Sequence, residues 1–359
     1  MKIIFFCGSA EPGEDGVGDY TRRLCGELVK MNHIVQILSL YDHHTVSFTT
    51  EMQTIQKTEI RVIRIPKTAG NKQRFIWSQK VLDSSQPNFI SLQFVPYSFN
   101  RRGLPFWLPY FLKDLKGNHK WHVMFHELWL GMDMESSFKQ KCIGKLQQFI
   151  VKLLIQNIKP NFVNTQNKLY QFFLRSNNID AIVLPIFGNI PVTGVKKEIL
   201  EFRQFVLFAT IHTGAPFSDF VNDLMTSSDK FDKPVKFIFI GNNGLEINKY
   251  IKILENYNIC YQVLGRQSES VISQILIDSD LGISTTPYFQ TEKSGVYAAY
   301  REHQIKIISV SRKWTPIKES YYLPQIIKYE KNNLHIIPMD HDVFTVDMIV
   351  NQFISSISN

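Results

Sequence analysis

The order of secondary structure is decided by residues 1–40, which read MKIIFFCGSAEPGEDGVGDYTRRLCGELVKMNHIVQILSL. An apolar run at 3–8 precedes a glycine-containing loop at 11–18, an amphipathic run at 19–31 and a second apolar run at 34–38. Helical spacing of the apolar residues in the third segment predicts a helix between two strands. The order strand, loop, helix, strand predicts the opening of an α/β domain, in which ligands bind at the C-terminal edge of the sheet.

The loop at 11–18 has the chemistry of a ligand-binding turn. Gly16 and Gly18 carry no Cβ and can adopt positive φ angles, so that backbone N–H groups can approach a ligand closely. The helix that follows would direct the positive end of its dipole to the same place. We therefore predict a ligand at this loop; a tight glycine turn without a ligand is the alternative.

The composition is typical of a folded, soluble, two-domain protein. The 359 residues exceed the usual size of one hydrophobic core, and 44% of them are hydrophobic and 20% charged. No apolar run approaches the ~20 residues that span a bilayer. Because Met1-Lys2 leads directly into the first apolar run, no signal peptide is expected. The four cysteines are widely spaced, which favours reduced thiols in a cytoplasm over a zinc site or disulfides.

The formal net charge of the chain is +8, and its basic residues form small groups rather than one tract. Such groups occur at Arg22-Arg23, at Arg101-Arg102 and at 139–145. A basic chain of this kind can bind an anionic membrane surface or phosphorylated ligands, although any single group can equally be a solvated surface. We find no zinc-finger, helix-turn-helix or RNA-binding signature, so no nucleic-acid partner is expected.

The alternation of strands and helices continues along the chain and is broken at 185–191, a segment with two prolines and a glycine. It restarts with an apolar run at 205–210. We therefore predict a first Rossmann-like domain at 1–187, a second at 188–341, and a terminal helix at 342–359 that packs back toward the first domain. The cleft between two such domains is the expected ligand site.

Several ordered segments carry recognisable motifs. They are the glycine loop at 13–20, Phe125-His126-Glu127, the linker at 184–189, Leu264-Gly265-Arg266 and the stretch at 286–308. Together they resemble the retaining glycosyltransferases of the GT-B fold, in particular family 4, over nearly the whole chain. The resemblance implies a nucleotide-diphosphate sugar as donor and a glycan or lipid-linked saccharide as acceptor, in surface polysaccharide or glycan synthesis. It implies no cofactor and no metal.

The resemblance, combined with the chemistry of the local sequence, implies roles for the candidate site residues. The catalytic candidates are His126, Glu292 and Lys293. The donor-binding candidates are Gly16, Gly18, His212, Thr213, Arg266, Ser294, Gly295 and Val296. The acceptor-binding candidates are Asp19, Tyr20, Tyr97, Arg101 and Arg102.

Two departures from the family pattern bear on donor binding. Glu292 matches the first of two glutamates eight positions apart, but the second is missing: Tyr300 stands there, or Ala299 in an alternative register that matches 303–305 to the usual small-residue turn. The family residue there handles the ribose of the nucleotide, so its replacement bears on donor identity. The segment 210–216 also lacks the Arg and Lys that usually neutralise the diphosphate. Polar side chains within that segment can substitute in part, and Arg266 or Lys293 can supply the charge.

Each candidate also has a purely structural alternative. Ser294 can be an ordinary N-cap, and His126 can be a hydrogen-bonded core histidine. The aromatic stretch at 93–111 can be an acceptor surface near a membrane, or a core helix beside a solvated pair of arginines. His122 lies on the same face of its strand as His126, but with no third ligand nearby a metal site is not expected.

Three other functions fit parts of the sequence. A nicotinamide-dependent enzyme would use the glycine loop with Asp42 on the ribose, but Thr21 replaces the last glycine of the G-x-G-x-x-G pattern. A UDP-sugar epimerase can adopt the same fold, but the charged residues it would need are not evident. A non-catalytic GT-B-like protein that binds a nucleotide sugar or a partner transferase would explain the missing glutamate. We expect a metal-independent glycosyltransferase in the cytoplasm or at the inner face of the membrane.

Overall fold

The computed structural model describes residues 1–55, 57–196, 201–226, 233–318, 323–332 and 345–358. They form two compact units. The first unit comprises the described residues of Met1–Pro185, Pro316–Ser320 and Val346–Asn359. The second comprises those of Ile186–Thr315 and Tyr321–Thr345. Each unit therefore combines segments that are distant in sequence. The predicted boundary between residues 341 and 342 lies outside the described residues.

The first unit is built on a mostly parallel sheet. Its strands are β1 (Lys2–Cys7), β2 (Ile34–Asp42), β3 (Thr49–Ile55), β4 (Thr58–Pro66), β5 (Phe89–Phe94), β6 (Lys120–Phe125), β7 (Phe162–Thr165) and β8 (Ile182–Val183). Among the described residues their order is β3-β4-β2-β1-β5-β6-β7-β8. β3 and β4 pair as an antiparallel hairpin, and the other neighbours run parallel. The central strands are buried on both faces, which explains their continuous apolar runs.

β3 is absent from the sequence-based prediction. Of its seven residues only Gln53 is buried, so the strand has no alternation of apolar and polar side chains to reveal it. The strand conformation of β3 depends on its backbone pairing with β4. The pairing extends from Thr49 opposite Arg64 to Ile55 opposite Thr58.

Helices cover the sheet of the first unit, and one of them comes from the far end of the chain. They are α1 (Gly16–Lys30), α2 (Asn71–Ser85), α3 (Pro96–Phe99), α4 (Trp107–Asp114), α5 (Phe138–Ile158), α6 (Lys168–Arg175) and, after the second unit, α11 (Val346–Ser358). α11 packs beside α1. The ring of Phe353 lies 5.9 Å from that of Phe5 and 5.2 Å from that of His122, measured between centroids. The last helix is therefore part of the core of the first unit.

The second unit contains a second parallel sheet. Its strands are β9 (Arg203–Phe208), β10 (Val235–Ile240), β11 (Cys260–Gly265), β12 (Leu281–Ser284), β13 (Lys306–Ser309) and β14 (Ile327–Lys328), and its helices are α7 (Phe217–Thr226), α8 (Ile247–Asn256), α9 (Glu269–Asp278) and α10 (Gly295–Glu302). Within the described ranges the strand order is β11-β10-β9-β12-β13-β14. The chain order reverses at β9, which pairs with β10 on one side and β12 on the other. In open α/β sheets this reversal is where ligands bind.

The second sheet carries apolar clusters on both faces. Phe205 and Leu207 belong to one cluster, and Val206 belongs to the other. Successive residues of a strand point to opposite faces, so the two clusters lie on the two sides of the sheet. No helix in the described part of the chain is long and apolar enough to cross a bilayer.

Candidate functional site

The loop between β1 and α1 is shorter than predicted, because α1 begins at Gly16. Gly16 and Gly18 therefore lie in the first helical turn and do not use the positive φ that glycine allows; Gly13 has the positive φ in this loop, at +75°. Glycine at 18 is required by packing instead, since a Cβ there would lie 2.7 Å from the carbonyl oxygen of Ser9.

A carboxylate occupies the end of α1 at which the sequence predicts a ligand. Asp15 accepts hydrogen bonds from the N–H groups of Val17 (2.9 Å) and Gly18 (2.7 Å). Burial raises the pKa of Asp15, while these two hydrogen bonds oppose the rise. Asp19, an acceptor-binding candidate, instead accepts from Gly13 N at 3.0 Å. The acidic side chains thus order the loop and use the N–H groups that a phosphate would need.

A buried ion pair fixes the same loop from the sheet side. Asp42 is fully buried and receives two hydrogen bonds of 3.0 Å from the guanidinium of Arg64. It also accepts from Ser39 Oγ at 3.0 Å and from Ala10 N at 3.3 Å. Burial opposes ionisation of Asp42, but the hydrogen bonds outweigh it and its pKa lies below the ordinary value. Arg64 also pairs with Glu11. Because the carboxylate oxygens of Asp42 already accept these hydrogen bonds, Asp42 does not fit the role of the ribose-binding acid in a nicotinamide enzyme.

His126 follows β6 and begins a chain of buried polar side chains across the sheet. Its Nδ1 accepts from Gln166 Nε2 at 2.6 Å, and its Nε2 donates to Gln93 Oε1 at 2.7 Å. Gln93 in turn donates to Ser91 Oγ at 2.8 Å, and Ser91 donates to His122 Nδ1 at 2.8 Å.

The chain ends at Asn164, whose Oδ1 accepts from His122 Nε2 at 2.9 Å and whose amide donates to the carbonyl of Ile182 at 3.1 Å. Each hydrogen bond of this chain then joins one donor to one acceptor when both histidines are neutral with the proton on Nε2. The orientations of the amide side chains follow from this network.

Burial keeps both histidines of this chain neutral. It lowers the pKa of His122 to about 4 and, with a further contribution from His122, that of His126 to about 3. His126 is 3% exposed. In this arrangement its ring holds hydrogen bonds and does not exchange protons near neutral pH.

The acceptor-binding candidates of the first unit do not all lie together. Tyr20 is buried, with its ring edge-on to His126 at 4.9 Å between centroids. Tyr97 lies in α3, directly after β5, and is partly exposed. Arg101 and Arg102 are exposed in the turn that follows. The structure thus brings Tyr20 to the catalytic candidate His126 and places Tyr97, Arg101 and Arg102 on the surface.

In the second unit, the loops after β9 and β12 are joined through His212. Its backbone N–H donates to Thr285 Oγ1 at 2.9 Å, and its Nδ1 lies 3.3 Å from the same oxygen. Partial burial, and then the positive charges of Lys293 and Arg312, lower the pKa of His212. We call Lys293, Arg312 and His212 the cationic cluster, in which Lys293 and Arg312 carry the positive charges. Arg312 also lies beside the loop of His212, since a Cβ at Gly214 would be 3.5 Å from Arg312 Cβ. Thr213 is exposed in the same loop.

The N-terminus of α10 opens beside the cationic cluster. A 3₁₀ helix at Tyr288–Lys293 contains Glu292 and leads into Ser294, which stands at the N-cap position without a capping bond from its side chain. A Cβ at Gly295 would meet no described atom within 4 Å, so the approach to this helix end is open. The first N–H groups of a helix have no acceptor within it, and they carry the positive end of its dipole. Val296 belongs to the same turn.

Arg312 was not predicted as a site residue. It follows β13, and Gly214, at a φ of +79°, lies so near that a Cβ there would be 3.5 Å from Arg312 Cβ. The sequence signal that could have identified Arg312 is a basic residue just beyond a predicted parallel strand, because the ends of parallel strands meet at one edge of the sheet. Arg266 follows β11 at the edge of the same sheet, with β10 between β11 and β9.

Tyr300 lies inside the second unit rather than in a binding position. Its hydroxyl accepts from Phe208 N at 3.0 Å and donates to Val206 O at 3.1 Å. Its ring fills the space above Gly282, where a Cβ would lie 2.8 Å from Tyr300 Cδ2. The residue at the second glutamate position therefore joins β9 to the core at the strand reversal. Within the described residues, no group of three His, Cys, Asp or Glu side chains is arranged to hold a metal ion.

No protein-family model matches the chain, and no curated protein matches it significantly. Solved structures match most of its length. A mutant of S. aureus TarM in complex with fondaparinux, alpha-GlcNAc-glycerol and UDP has a TM-score of 0.55 at 10% identity, over 100% of this chain and 93% of that one. WaaG, a glycosyltransferase involved in lipopolysaccharide biosynthesis, has 0.50 at 10%, over 86% and 80%. A protein from Listeria monocytogenes assigned as UDP-N-acetylglucosamine 2-epimerase has 0.50 at 6%, over 100% and 88%.

At identities of 6 to 10% these likenesses establish the fold. The neighbours are GT-B proteins, both glycosyltransferases and an epimerase. Their fold agrees with the two parallel sheets and their flanking helices described above. The chain therefore has the GT-B fold, an α/β architecture of two Rossmann-like domains, as its sequence predicts.

Proposed function

We propose that this chain is a glycosyltransferase that takes its sugar from a nucleoside-diphosphate donor. The observation that carries the proposal is the cationic cluster beside the N-terminus of α10, at the strand reversal of the second sheet. A diphosphate needs positive charge and N–H donors in one place, and this edge of the sheet supplies both. The GT-B fold and its UDP-bound neighbour support the same assignment.

The cluster suits the departure of the diphosphate when the glycosidic bond to the donor breaks. Lys293 and Arg312 would stabilise the negative charge that develops on the leaving group, together with the N–H groups of Gly295 and Val296. A bound dianion would raise the pKa of His212 again and add a third positive charge. With this charge supplied by side chains, the proposed transfer needs no metal. Ser294 would bind a phosphate oxygen through its hydroxyl, and Thr213 and Arg266 are assigned weaker contacts to the donor.

The first unit would bind the acceptor, a glycan or lipid-linked saccharide. Tyr97 with Arg101 and Arg102 offers an aromatic face and two cations for a sugar and a phosphate. His126 remains in the proposal as a neutral hydrogen-bonding group that holds local geometry, with Glu292 as the acidic catalytic candidate. Asp19, Gly16 and Gly18 would order the loop after β1. Retention of configuration and a role in surface polysaccharide synthesis follow from the family resemblance.

The test is a thermal-shift titration of the full chain with UDP, GDP, dTDP, CDP, ADP and NAD(H). A ligand that binds only the folded state raises the melting temperature with its concentration. We expect one nucleoside diphosphate to do so, and Lys293→Ala or Arg312→Ala to weaken its binding about 10- to 100-fold, since each removes a charge-assisted contact. Lys306→Ala is the matched control, because this exposed lysine lies at the start of β13, the opposite edge of the sheet.

Three results would overturn this proposal. Stabilisation by NAD(H) alone would indicate a nicotinamide enzyme. No response to any nucleotide would mean that the chain has no nucleotide donor site. A diphosphate that binds equally well to wild type and Lys293→Ala would place its site elsewhere.

A second candidate is a GT-B-like protein that binds a nucleotide sugar without turnover. Tyr300 favours it, because the buried hydroxyl at the second glutamate position is committed to Val206 and Phe208. Incubation with the sugar form of the stabilising nucleotide separates the candidates. Transfer to an acceptor, or slow hydrolysis that Lys293→Ala abolishes, indicates the transferase. An epimerised nucleotide sugar indicates an epimerase, and binding with no chemical change indicates the binding protein.

A further inference from the structure

The polar chain around His126 ends in an amide whose oxygen atom has no partner. Gln166 directly follows β7, at the C-terminal edge of the first sheet, and is 6% exposed. Its Nε2 donates to His126 Nδ1, but its buried Oε1 accepts no hydrogen bond from the described residues. Buried side-chain polar atoms almost always have a partner, so we expect one from outside the chain here.

The opposite end of the polar chain is anchored by a backbone group, the carbonyl of Ile182. A carbonyl can only accept, so the atom of the Asn164 side chain that lies 3.1 Å from it has to be the NH₂ group. The Asn164 oxygen therefore faces the ring of His122 and accepts from its Nε2, 2.9 Å away. Burial keeps this ring neutral, so its Nδ1 carries no proton and has to accept from Ser91 Oγ.

Each remaining bond of the polar chain then has one direction. The hydroxyl proton of Ser91 is used on the histidine ring, so the Ser91 oxygen accepts from the NH₂ group of Gln93. The Gln93 oxygen faces His126 and accepts from its Nε2, which leaves Nδ1 of this neutral ring without a proton. The NH₂ group of Gln166 has to face that Nδ1. The carbonyl of Ile182 therefore determines that the free end of the Gln166 amide is an acceptor.

The next residue adds a donor at the same end of β7. Asn167 is 2% exposed, and its Oδ1 accepts from Tyr170 N at 2.8 Å as the N-cap of α6. Because a backbone N–H can only donate, the other end of this amide is the NH₂ group, and no described residue accepts from it. A hydroxyl group both donates and accepts, whereas a phosphate or a carboxylate has no proton to donate to Gln166.

We propose that Gln166 and Asn167 form a subsite for a neutral hydroxyl group of the saccharide substrate, and that Asn164 fixes the polarity of this subsite. The hydroxyl would donate to Gln166 Oε1 and accept from Asn167 Nδ2. Asn164 is a positioning residue, because it acts through the polar chain and not on the sugar. The subsite rests on the glycosyl transfer proposed above, and it specifies that the part of the substrate next to His126 is uncharged.

The direction of the polar chain is tested by ¹⁵N NMR of the full chain labelled at histidine, which distinguishes a protonated ring nitrogen from a bare one. We expect His122 and His126 in the Nε2–H form near neutral pH. Asn164→Leu removes the acceptor of His122 Nε2, so the His122 proton should move to Nδ1, reverse the chain and bring His126 at least partly into the Nδ1–H form. Gln166→Glu, which places an oxygen opposite His126 Nδ1, should do the same to His126 without a change in the core of the chain.

The matched control for the NMR experiment is Asn161→Leu. It removes an asparagine oxygen that accepts from Trp121 N at 3.1 Å, outside the polar chain, and should leave both tautomers unchanged. An Nδ1–H form of His126 in the wild type would overturn the assigned polarity. So would a His126 tautomer that neither Asn164→Leu nor Gln166→Glu alters.

The subsite itself is tested by saturation-transfer NMR. The methyl glycosides of glucose, galactose, mannose and N-acetylglucosamine represent an acceptor sugar, and the UDP forms of these sugars, compared with UDP alone, represent a donor sugar. We expect Gln166→Met to weaken the binding of one saccharide about 2- to 10-fold, the effect of one neutral hydrogen bond. The monodeoxy analogue that lacks the bound hydroxyl should bind equally to wild type and to Gln166→Met. Gln171→Met, whose amide donates to the carbonyl of Ala181 at 2.7 Å, is the matched control and should bind as wild type does.

Three results would overturn the subsite. They are no binding of any of these saccharides, binding that Gln166→Met leaves unchanged, and a water molecule that stays at the Gln166 amide in the saccharide complex, detected by its nuclear Overhauser effect. The donor site is tested separately. Glycoside binding that depends on Gln166 would support the subsite even when no nucleoside diphosphate binds, and nucleotide binding that depends on Lys293 would support the donor site even when Gln166→Met has no effect.

Discussion

At His126, the surrounding side chains decide what the imidazole can do. Gln166 and Gln93 occupy both ring nitrogens, and burial lowers its pKa to about 3. The same residue type on an exposed loop would titrate near neutral pH. The sequence indicates a histidine at the end of an apolar strand, but the two glutamines that bind it come from β5 and from the segment after β7. No local pattern connects positions 93, 126 and 166.

The buried histidines predict a dependence of stability on pH. His122 and His126 have folded pKa values of about 4 and about 3, below the ~6.5 of an unfolded histidine. As the pH falls below about 6.5, the unfolded chain binds protons that the folded chain does not. The free energy of unfolding therefore decreases by about 1.4 kcal/mol per pH unit for each histidine until its folded pKa is reached. Urea unfolding between about pH 7 and pH 5 measures this slope.

The variant His126→Gln isolates one of the two contributions. Its slope between pH 6 and pH 5 should be smaller than that of wild type by about 1.4 kcal/mol per unit, whatever its overall stability. Equal slopes in wild type and His126→Gln would show that His126 is not held neutral.

At the scale of elements, the loop after β1 shows that adjacent glycines have different physical roles. Gly13 adopts a positive φ, and at Gly18 the carbonyl oxygen of Ser9 leaves no room for a Cβ. Gly16 has neither constraint. The pattern of glycines before a helix suggested a phosphate loop, but Asp15 takes the N–H groups of that helix end. The corresponding open helix end is that of α10, where Ser294 makes no side-chain cap.

Replacing these glycines by alanine should separate packing from helix propensity. Gly18→Ala places a Cβ 2.7 Å from Ser9 O and should destabilise the protein by about 1–3 kcal/mol, because backbone must move. Gly16→Ala meets no described atom within 4 Å and should be neutral or stabilising by up to about 1 kcal/mol. Chemical unfolding of the two variants in parallel measures the difference. Equal stabilities would mean that Ser9 and its loop move without cost.

At the scale of the whole molecule, the chain returns to its first unit after completing the second. α11 supplies Phe353, which is 1% exposed and contacts the rings of Phe5 and His122. The hydroxyl of Ser356 also donates to Asn164 Oδ1 at 3.4 Å, at the end of the polar chain that begins with His126. Folding of the first unit thus requires residues from both ends of the sequence.

Removing this closing contact should destabilise the first unit. Phe353→Ala creates a cavity beside β1 and should lower the free energy of unfolding by about 3–5 kcal/mol. Met348→Ala, on the exposed side of the same helix, should change it by less than about 0.5 kcal/mol. Tryptophan fluorescence suits the measurement, because four of the five tryptophans, Trp77, Trp107, Trp121 and Trp129, lie in the first unit. A similar stability of the two variants would mean that α11 does not support the core.

The sequence by itself determined the α/β class and most strand and helix positions, because buried parallel strands leave continuous apolar runs and amphipathic helices leave a helical period. The GT-B fold was predicted from the resemblance of its ordered motifs to a known family. The sequence also placed Lys293, Ser294 and Gly295 at the start of a helix. Only the tertiary structure decided the edge strand β3, the buried role of Tyr300, and the closeness of Arg312 to Gly214 in the loop after β9. These three features depend on contacts between residues that are far apart in the chain. Such contacts arise from packing and leave no periodic pattern in the local sequence.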